Sequence, residues 1–344
     1  VIFLISLAAA LAPANFVPHV APEYLRTARD RWLLCTLFLT IVAMMYVHEY
    51  WLAAIGAWFL WRWDGPQRLE SLVCWIGVGA SWFLLRQLDA DTFTRISYAW
   101  VVWGLAQVAL LTWQWHKGTA RPPGTYGSPP TSANFLALTI FFAPWWLWPV
   151  FAWGLWLTSS FLAILAVGVA SFLLVPAPTS FVLGFGMVVF VSERYSSHHD
   201  PDKKLTRWLD AHTIRGMSTG TVRGRWMTWR LLLSRLTLAG VGGGHMPRQM
   251  VRWSTEIRTT EPRSHLLPPG EAHFELGQIA YEYGLLGLAA ALLFLWPLVQ
   301  NVNTGDAWSA AFVSGCILSL GHWPIRHPAV GLLFLAVCAG VLTR

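Results

Sequence analysis

Charge is scarce in this chain: only 12% of its 344 residues are Asp, Glu, Lys or Arg, against about a quarter in soluble globular proteins. Together with 55% hydrophobic residues and a mean hydropathy of +0.48, that scarcity implies an integral membrane protein. Cysteine is scarce as well. Cys35, Cys74, Cys316 and Cys338 all lie in apolar runs without C-x-x-C spacing, so they read as small buried hydrophobes rather than a disulfide framework or zinc site. Strand-length segments of alternating polar and apolar residues are missing, which leaves helices as the spanning element. Walker A, dinucleotide-binding, G-x-S-x-G, H-E-x-x-H and kinase signatures are lacking too. No solenoid-period repeat and no inverted repeat of the transporter kind is visible.

What the chain has in quantity is apolar runs and aromatic rings, 23 of them Trp, the residue that gathers where hydrocarbon meets water. Apolar segments fall at 1–14, 32–47, 49–63, 69–87, 94–115, 133–192, 276–298, 306–321 and 327–343. The first, VIFLISLAAALAPA, lacks the basic region of a signal peptide and reads as a first transmembrane helix. Its initial Val suggests an alternative start codon or a trimmed N-terminus. The run 133–192 is broken by Pro144, Pro149, Pro176 and Pro178. At about 20 residues per span it holds three helices, or four if some are short and tilted. The expected fold is all-α, a polytopic bundle of about eleven or twelve transmembrane helices. Residues 1–192 supply the N-terminal helices, 193–272 one large basic loop domain, and 273–344 three C-terminal helices.

Two stretches lie outside the apolar runs, a short one at 116–131 and the long one at 193–272. With four helices between them they share one side of the membrane; with three they do not. The long stretch holds thirteen Lys or Arg against seven Asp or Glu, so it carries six of the seven net positive charges. A segment this long can translocate regardless of charge, so charge alone leaves the sidedness open. The excess suits anionic lipid headgroups, or an anionic substrate held at the membrane surface. Arginine dominates it, and a planar fork matches phosphate oxygens better than an ammonium does.

His273 is the leading catalytic candidate. On a helix, His273, Gly277, Ala280, Gly284 and Gly287 fall in one line, and small residues on an apolar helix make a packing seam. The imidazole therefore stands at the mouth of a packed bundle, directly after the basic stretch, where it can take a proton from a hydroxyl. Its bland counterpart is an interfacial histidine that closes a loop. Gly240, Gly242, Gly243 and Gly244 follow a helix-like stretch. Such a run either ends the helix or lets backbone N–H groups approach an anion. Arg223 and Arg225 precede that helix, and Arg121 and Tyr126 lie in the short outer segment. Each basic residue taken alone is more often a solvated charge. His198 to Asp202, HHDPD, reads as a solvated turn rather than a metal site.

These residues together resemble the O-antigen ligase and O-antigen polymerase family of bacterial envelope glycosyltransferases. The ligase signature is a histidine, one polar residue, nine residues and Gly-x-x-Gly; His273, Phe274 and Gly284-Leu-Leu-Gly287 reproduce its spacing, with Glu282 two before the first glycine. GRWMTW, with Arg225 and Trp229, followed by GVGGG, is similar to the family's arginine, three residues, tryptophan and glycine-rich pattern. GTYGSPPTSANFLAL is similar to its Gly-aromatic-x-Asn-Pro segment. The resemblance runs from about residue 120 to 343. Two positions depart from it: Phe274 replaces the polar residue, and Phe161 stands where the family has an arginine opening a helix.

The resemblance implies transfer of a glycan from undecaprenyl diphosphate to lipid A-core or a similar acceptor, at the periplasmic face of the inner membrane. It implies His273 as base on the acceptor hydroxyl, and Arg225 as the cation on the departing diphosphate. Arg121, Arg223, Tyr126, Gly242 and Gly243 would bind substrate, without metal or other cofactor and without a nucleic-acid partner. It also places the basic domain outside, with four helices between the two outer segments. A polymerase or a protein O-oligosaccharyltransferase shares this machinery. From another class, a transporter of polyprenyl-linked sugars should show ionisable residues or broken helices near the midplane, whereas polar residues here concentrate outside the runs. Phe161 leaves room for an inactive relative.

Overall fold

The computed structural model describes residues 79, 81–119, 122–158, 160–175, 228–242, 245–246, 249, 252–253, 274–321 and 328–343. The described residues are mostly helical and contain no strand. In chain order the helices are α1 (Ala90–His116), α2 (Pro129–Thr139), α3 (Trp148–Thr158), α4 (Phe161–Leu174), α5 (Glu275–Gln300), α6 (Ala307–Ser319) and α7 (Pro328–Thr343), with single 3₁₀ turns at Gly124–Tyr126, Ile140–Phe142 and Trp145–Leu147.

Among the described residues α1 and α5 are long and apolar enough to cross a membrane, at 27 and 26 residues. At 1.5 Å per residue α1 is about 40 Å long, against a hydrocarbon core of about 30 Å. α1 begins at Asp89, whose Oδ1 accepts the Thr92 amide at 2.8 Å, and ends in His116, favourable at the negative end of the helix dipole. One face buries Phe93, Val101, Val108 and Leu111, while Tyr98, Val102 and Trp113 are exposed. A helix apolar on its outward side as well as its inward side is built for a non-aqueous surround.

The run after residue 133 is cut into short pieces rather than spans of full length. α2 and α3 have 11 residues each and α4 has 14, about 16 to 21 Å. Pro144 does mark a break, between the turns at 140–142 and 145–147. Pro149, expected to break the run, instead sits in the first turn of α3, where a missing N–H costs nothing. The second cut falls between Thr158 and Phe161, where Thr158 Oγ1 donates to the Leu155 carbonyl at 2.6 Å. Pro176, Pro178 and the rest of the apolar run to residue 192 lie outside the described residues.

Glycines set how closely these helices approach. A Cβ on Gly104 would lie 2.6 Å from the Phe151 ring, and one on Gly154 would lie 2.6 Å from Val108 and 2.9 Å from Leu136. The order of these contacts makes α1 and α3 parallel, with α2 antiparallel to both. Trp308 on α6 packs against Phe93 (5.3 Å), Trp100 (6.0 Å) and Phe142 (4.6 Å). Ser314 lies farther along α6 and donates to Ala137 O on α2, so α6 runs with α1. α7 returns antiparallel, since Phe334 meets Gly315 and Gly340 meets Trp308. The bundle thus has two ends. Asp89, Leu174 and Asp306 lie at one, tied by Gly305 N donating to Leu174 O; His116, the 124–126 turn and Ser160 lie at the other.

Candidate functional site

α5 is broken. Gly284 adopts φ 75°, ψ −174°, a backbone region open in practice only to glycine. A break leaves carbonyls above it and amides below it without helical partners. The segment 237–242 pairs with two of each. Val241 N donates to Tyr281 O at 3.1 Å and Gly242 N to Glu282 O at 2.8 Å, while Leu285 N donates to Thr237 O at 3.1 Å and Leu286 N to Leu238 O at 3.4 Å. Gly240, at φ 73°, donates its own amide to Thr237 Oγ1 at 2.9 Å. The two backbones cross in contact: a Cβ on Gly284 would overlap Leu238 O and Gly240 N, and one on Gly240 would overlap Glu282 O and Gly284 N.

Above the break α5 is buried and polar on one face. Glu275, Gln278 and Glu282 are spaced three and four apart, and all are buried. A carboxylate in such surroundings needs donors to offset its lost hydration. Glu282 Oε1 accepts the Met246 amide at 3.1 Å and Gln278 Nε2 at 3.3 Å. Beside it, Tyr281 meets Trp253 edge-on at 5.2 Å, and the Arg235 guanidinium lies 5.2 Å from the centre of the Trp253 ring. Leu232, Met246, Trp253 and Tyr281 form a buried cluster with Leu231, Leu236 and Val241. Phe274, the residue that begins α5, packs on Trp229 at 5.4 Å, and its carbonyl accepts Gln278 N at 2.9 Å.

Below the break the surroundings change. Leu285, Leu286, Leu292, Leu293, Trp296 and Val299 are exposed, so the helix passes from protein-covered to open apolar within one turn.

Five of the residues singled out from sequence, His273, Arg225, Arg223, Arg121 and Gly243, lie outside the described residues, as does HHDPD. The other two are placed differently from the expectation. Tyr126 is 1% exposed; its hydroxyl accepts Trp103 Nε1 at 3.0 Å and its ring packs on Phe135 at 5.4 Å. Burial pushes this phenol well above its ordinary value. Tyr126 is thus a packed core residue of its turn rather than a group open to a ligand. Two glutamines of α1 hold that turn. Gln114 Oε1 accepts Gly124 N at 2.9 Å, and Gln107 Oε1 accepts Thr125 N at 3.2 Å while its amide donates to Thr125 Oγ1. Gly242, expected to offer its N–H to an anion, spends it on Glu282 O.

The seam below His273 is likewise interrupted. Gly277 is covered by the Phe274 ring and Gly287 by Tyr283 Cβ, both from α5 itself, and the helical register stops at Gly284. Of the two departures from the family pattern, Phe274 has a packing role against Trp229 and Gly277, and Phe161 is the first residue of α4. Among the described residues no group of three His, Cys, Asp or Glu could hold a metal ion. Sequence reasoning missed Arg235, Trp253, Tyr281 and Gln278. The available signal was the three-and-four spacing of Glu275, Gln278 and Glu282 in an otherwise apolar helix. Comparison of the chain with protein-family models, with curated proteins and with solved structures finds no match in any of the three.

Proposed function

We propose that this chain is an O-antigen ligase-like glycosyltransferase, a multi-pass protein of the bacterial inner membrane whose site faces the periplasm. It would move a glycan from undecaprenyl diphosphate to a lipid A-core or similar acceptor. One observation carries the reading: the described parts of three stretches that resemble the family in sequence, Trp229, Gly240 to Gly242 and 274–287, come together. Trp229 packs on Phe274, and the glycine run is hydrogen-bonded around the Gly284 break. His273 adjoins Phe274 in the chain, and Arg225 precedes Trp229 by four residues, which at full extension span about 14 Å. Both candidate catalytic residues are therefore tethered by short lengths of chain to one meeting point.

In this reading the His273 imidazole takes the proton of the acceptor hydroxyl as its oxygen bonds to the anomeric carbon. The bond from that carbon to the diphosphate oxygen breaks, and the diphosphate leaves with the electron pair. Arg225 and Arg223 offset the charge that it gains, an interaction stronger in the transition state than before it.

The test is complementation of a ligase-deficient host. The wild-type gene should restore long-chain lipopolysaccharide, and His273→Ala should lower transfer about 10²–10⁴-fold with unchanged membrane insertion. Wild-type turnover by His273→Ala would remove the histidine from the mechanism. A second reading, a relative with lost activity, is favoured by Phe161 at the opening of α4. It predicts no complementation by wild type and restoration by Phe161→Arg.

A further inference from the structure

We propose that Glu282 is a positioning residue, which sets the register of segment 237–246 on the broken helix and so holds the glycine run and the start of α5 in one arrangement. The inference rests on the glycosyl-transfer reading only for its activity readout. Its physical basis lies in the geometry around the break. The four backbone bonds between 237–242 and α5 reach no farther than Gly242, and they hold the crossing itself. Farther along, the Glu282 carboxylate accepts Met246 N at 3.1 Å. Met246 is wholly buried and Glu282 is 1% exposed, so water does not compete for either group, and an unmade bond there would leave the Met246 N–H a buried donor without this acceptor. Gln278, one turn earlier, donates to the same oxygen at 3.3 Å and holds the carboxylate in the rotamer that reaches Met246.

One side chain therefore joins two parts of the candidate site. Toward the N-terminus of α5 it engages the side chain of Gln278, whose backbone N–H donates to the carbonyl of Phe274, the residue after His273. Toward the basic segment it acts through Met246, which packs with Leu232, Trp253 and Tyr281, the cluster that carries Arg235. The role asks only for an acceptor at Oε1. A glutamine supplies that acceptor and an alanine does not.

The experiment uses the full chain in lipid nanodiscs, with E282Q and E282A compared against wild type. Hydrogen exchange of the peptide containing Met246 should be protected in wild type and E282Q, and at least tenfold faster in E282A, while α1 to α4 keep their protection. With an undecaprenyl diphosphate-linked oligosaccharide and lipid A-core as probes, E282A should lose about 10²-fold in kcat, the scale of a displacement of about 1 Å. E282Q should stay within about threefold, with the same pH profile as wild type. Unchanged exchange at Met246 in E282A overturns the proposal, and so does E282Q as inactive as E282A, since the carboxylate would then act through its charge. If wild type transfers nothing, the glycosyl-transfer reading fails, and the exchange comparison still decides the role of Glu282. Should E282A not fold, Q278L, which removes only the orienting donor, must speed exchange at Met246 if the proposal is right.

Discussion

Gly284 shows how much a single residue can decide. Its φ and ψ lie where a Cβ is strained by about 1–3 kcal/mol, and the space that a methyl would need is occupied by Leu238 O and Gly240 N, backbone atoms that cannot rotate away. Gly284→Ala should therefore lower stability by at least that amount and part the two chains. The check is thermal unfolding in detergent, together with exchange of the Val241 and Gly242 amides. Asp89 offers a test by pH. Hydrogen bonding to Thr92 holds its carboxyl below the usual value near 3.8, despite a smaller opposing effect of desolvation. A lowered folded-state value means that its contribution is present above the ordinary value and is lost as pH falls through the folded one. Protection of the first turn of α1 should then fade on acidification below about pH 4, and Asp89→Asn should abolish that dependence. The pair Asp89 and Thr92 is legible in sequence, because a cap and its amide lie three residues apart. Tyr126 is not legible, since its partners Trp103 and Phe135 come from two different helices.

At the scale of the element, the long helices were the readable part. Apolar segments expected at 94–115, 276–298, 306–321 and 327–343 correspond to α1, α5, α6 and α7 to within a few residues at each end, because sustained hydrophobicity and terminal polar residues are local properties. The cuts within 133–174 were less readable. Proline is informative only with its position in the turn: Pro144 ends a helix, whereas Pro149 opens one. The break in α5 left one local mark, a glycine. Gly284 resembles every other small residue on its face, and its conformation follows from the arrival of Gly240, 44 residues earlier. A tertiary contact of that kind has no local pattern. Packing also accounts for Phe274, whose aromatic ring covers Gly277 and meets Trp229 in place of a polar side chain.

For the molecule as a whole, composition pointed to helices and to an apolar exterior, and the described residues bear out a helical fold with two helices long enough to cross a membrane. The exposed apolar face of α5 gives this a test. Leu293 is 73% exposed and Leu298 is fully buried. Leu293→Lys should cost about 2.5–3.5 kcal/mol of insertion free energy if that face meets lipid, and shift the protein toward the fraction extracted by alkaline carbonate. Leu298→Ala should leave extraction unchanged and cost about 2–5 kcal/mol of folding stability through the cavity it creates. Equal extraction of Leu293→Lys and wild type would mean that another part of the protein covers the face. The site was legible only in outline. Its motifs could be read, but the cluster of Arg235, Trp253 and Tyr281 could not, because its members come from parts of the chain that only the fold brings together.

The break in α5 also sets a depth. From Gly284 to Gln300 the helix rises about 24 Å, a little less than the thickness of the acyl-chain layer. In the proposed reading, the buried row of Glu282, Gln278 and Glu275 would then begin where fatty tails give way to headgroups, the level at which a polyprenyl carrier would display its phosphates. Bilayer thickness would become a variable of the proposed transfer: longer acyl chains would submerge the crossing of Gly240 over Gly284, and shorter ones would lift it into water.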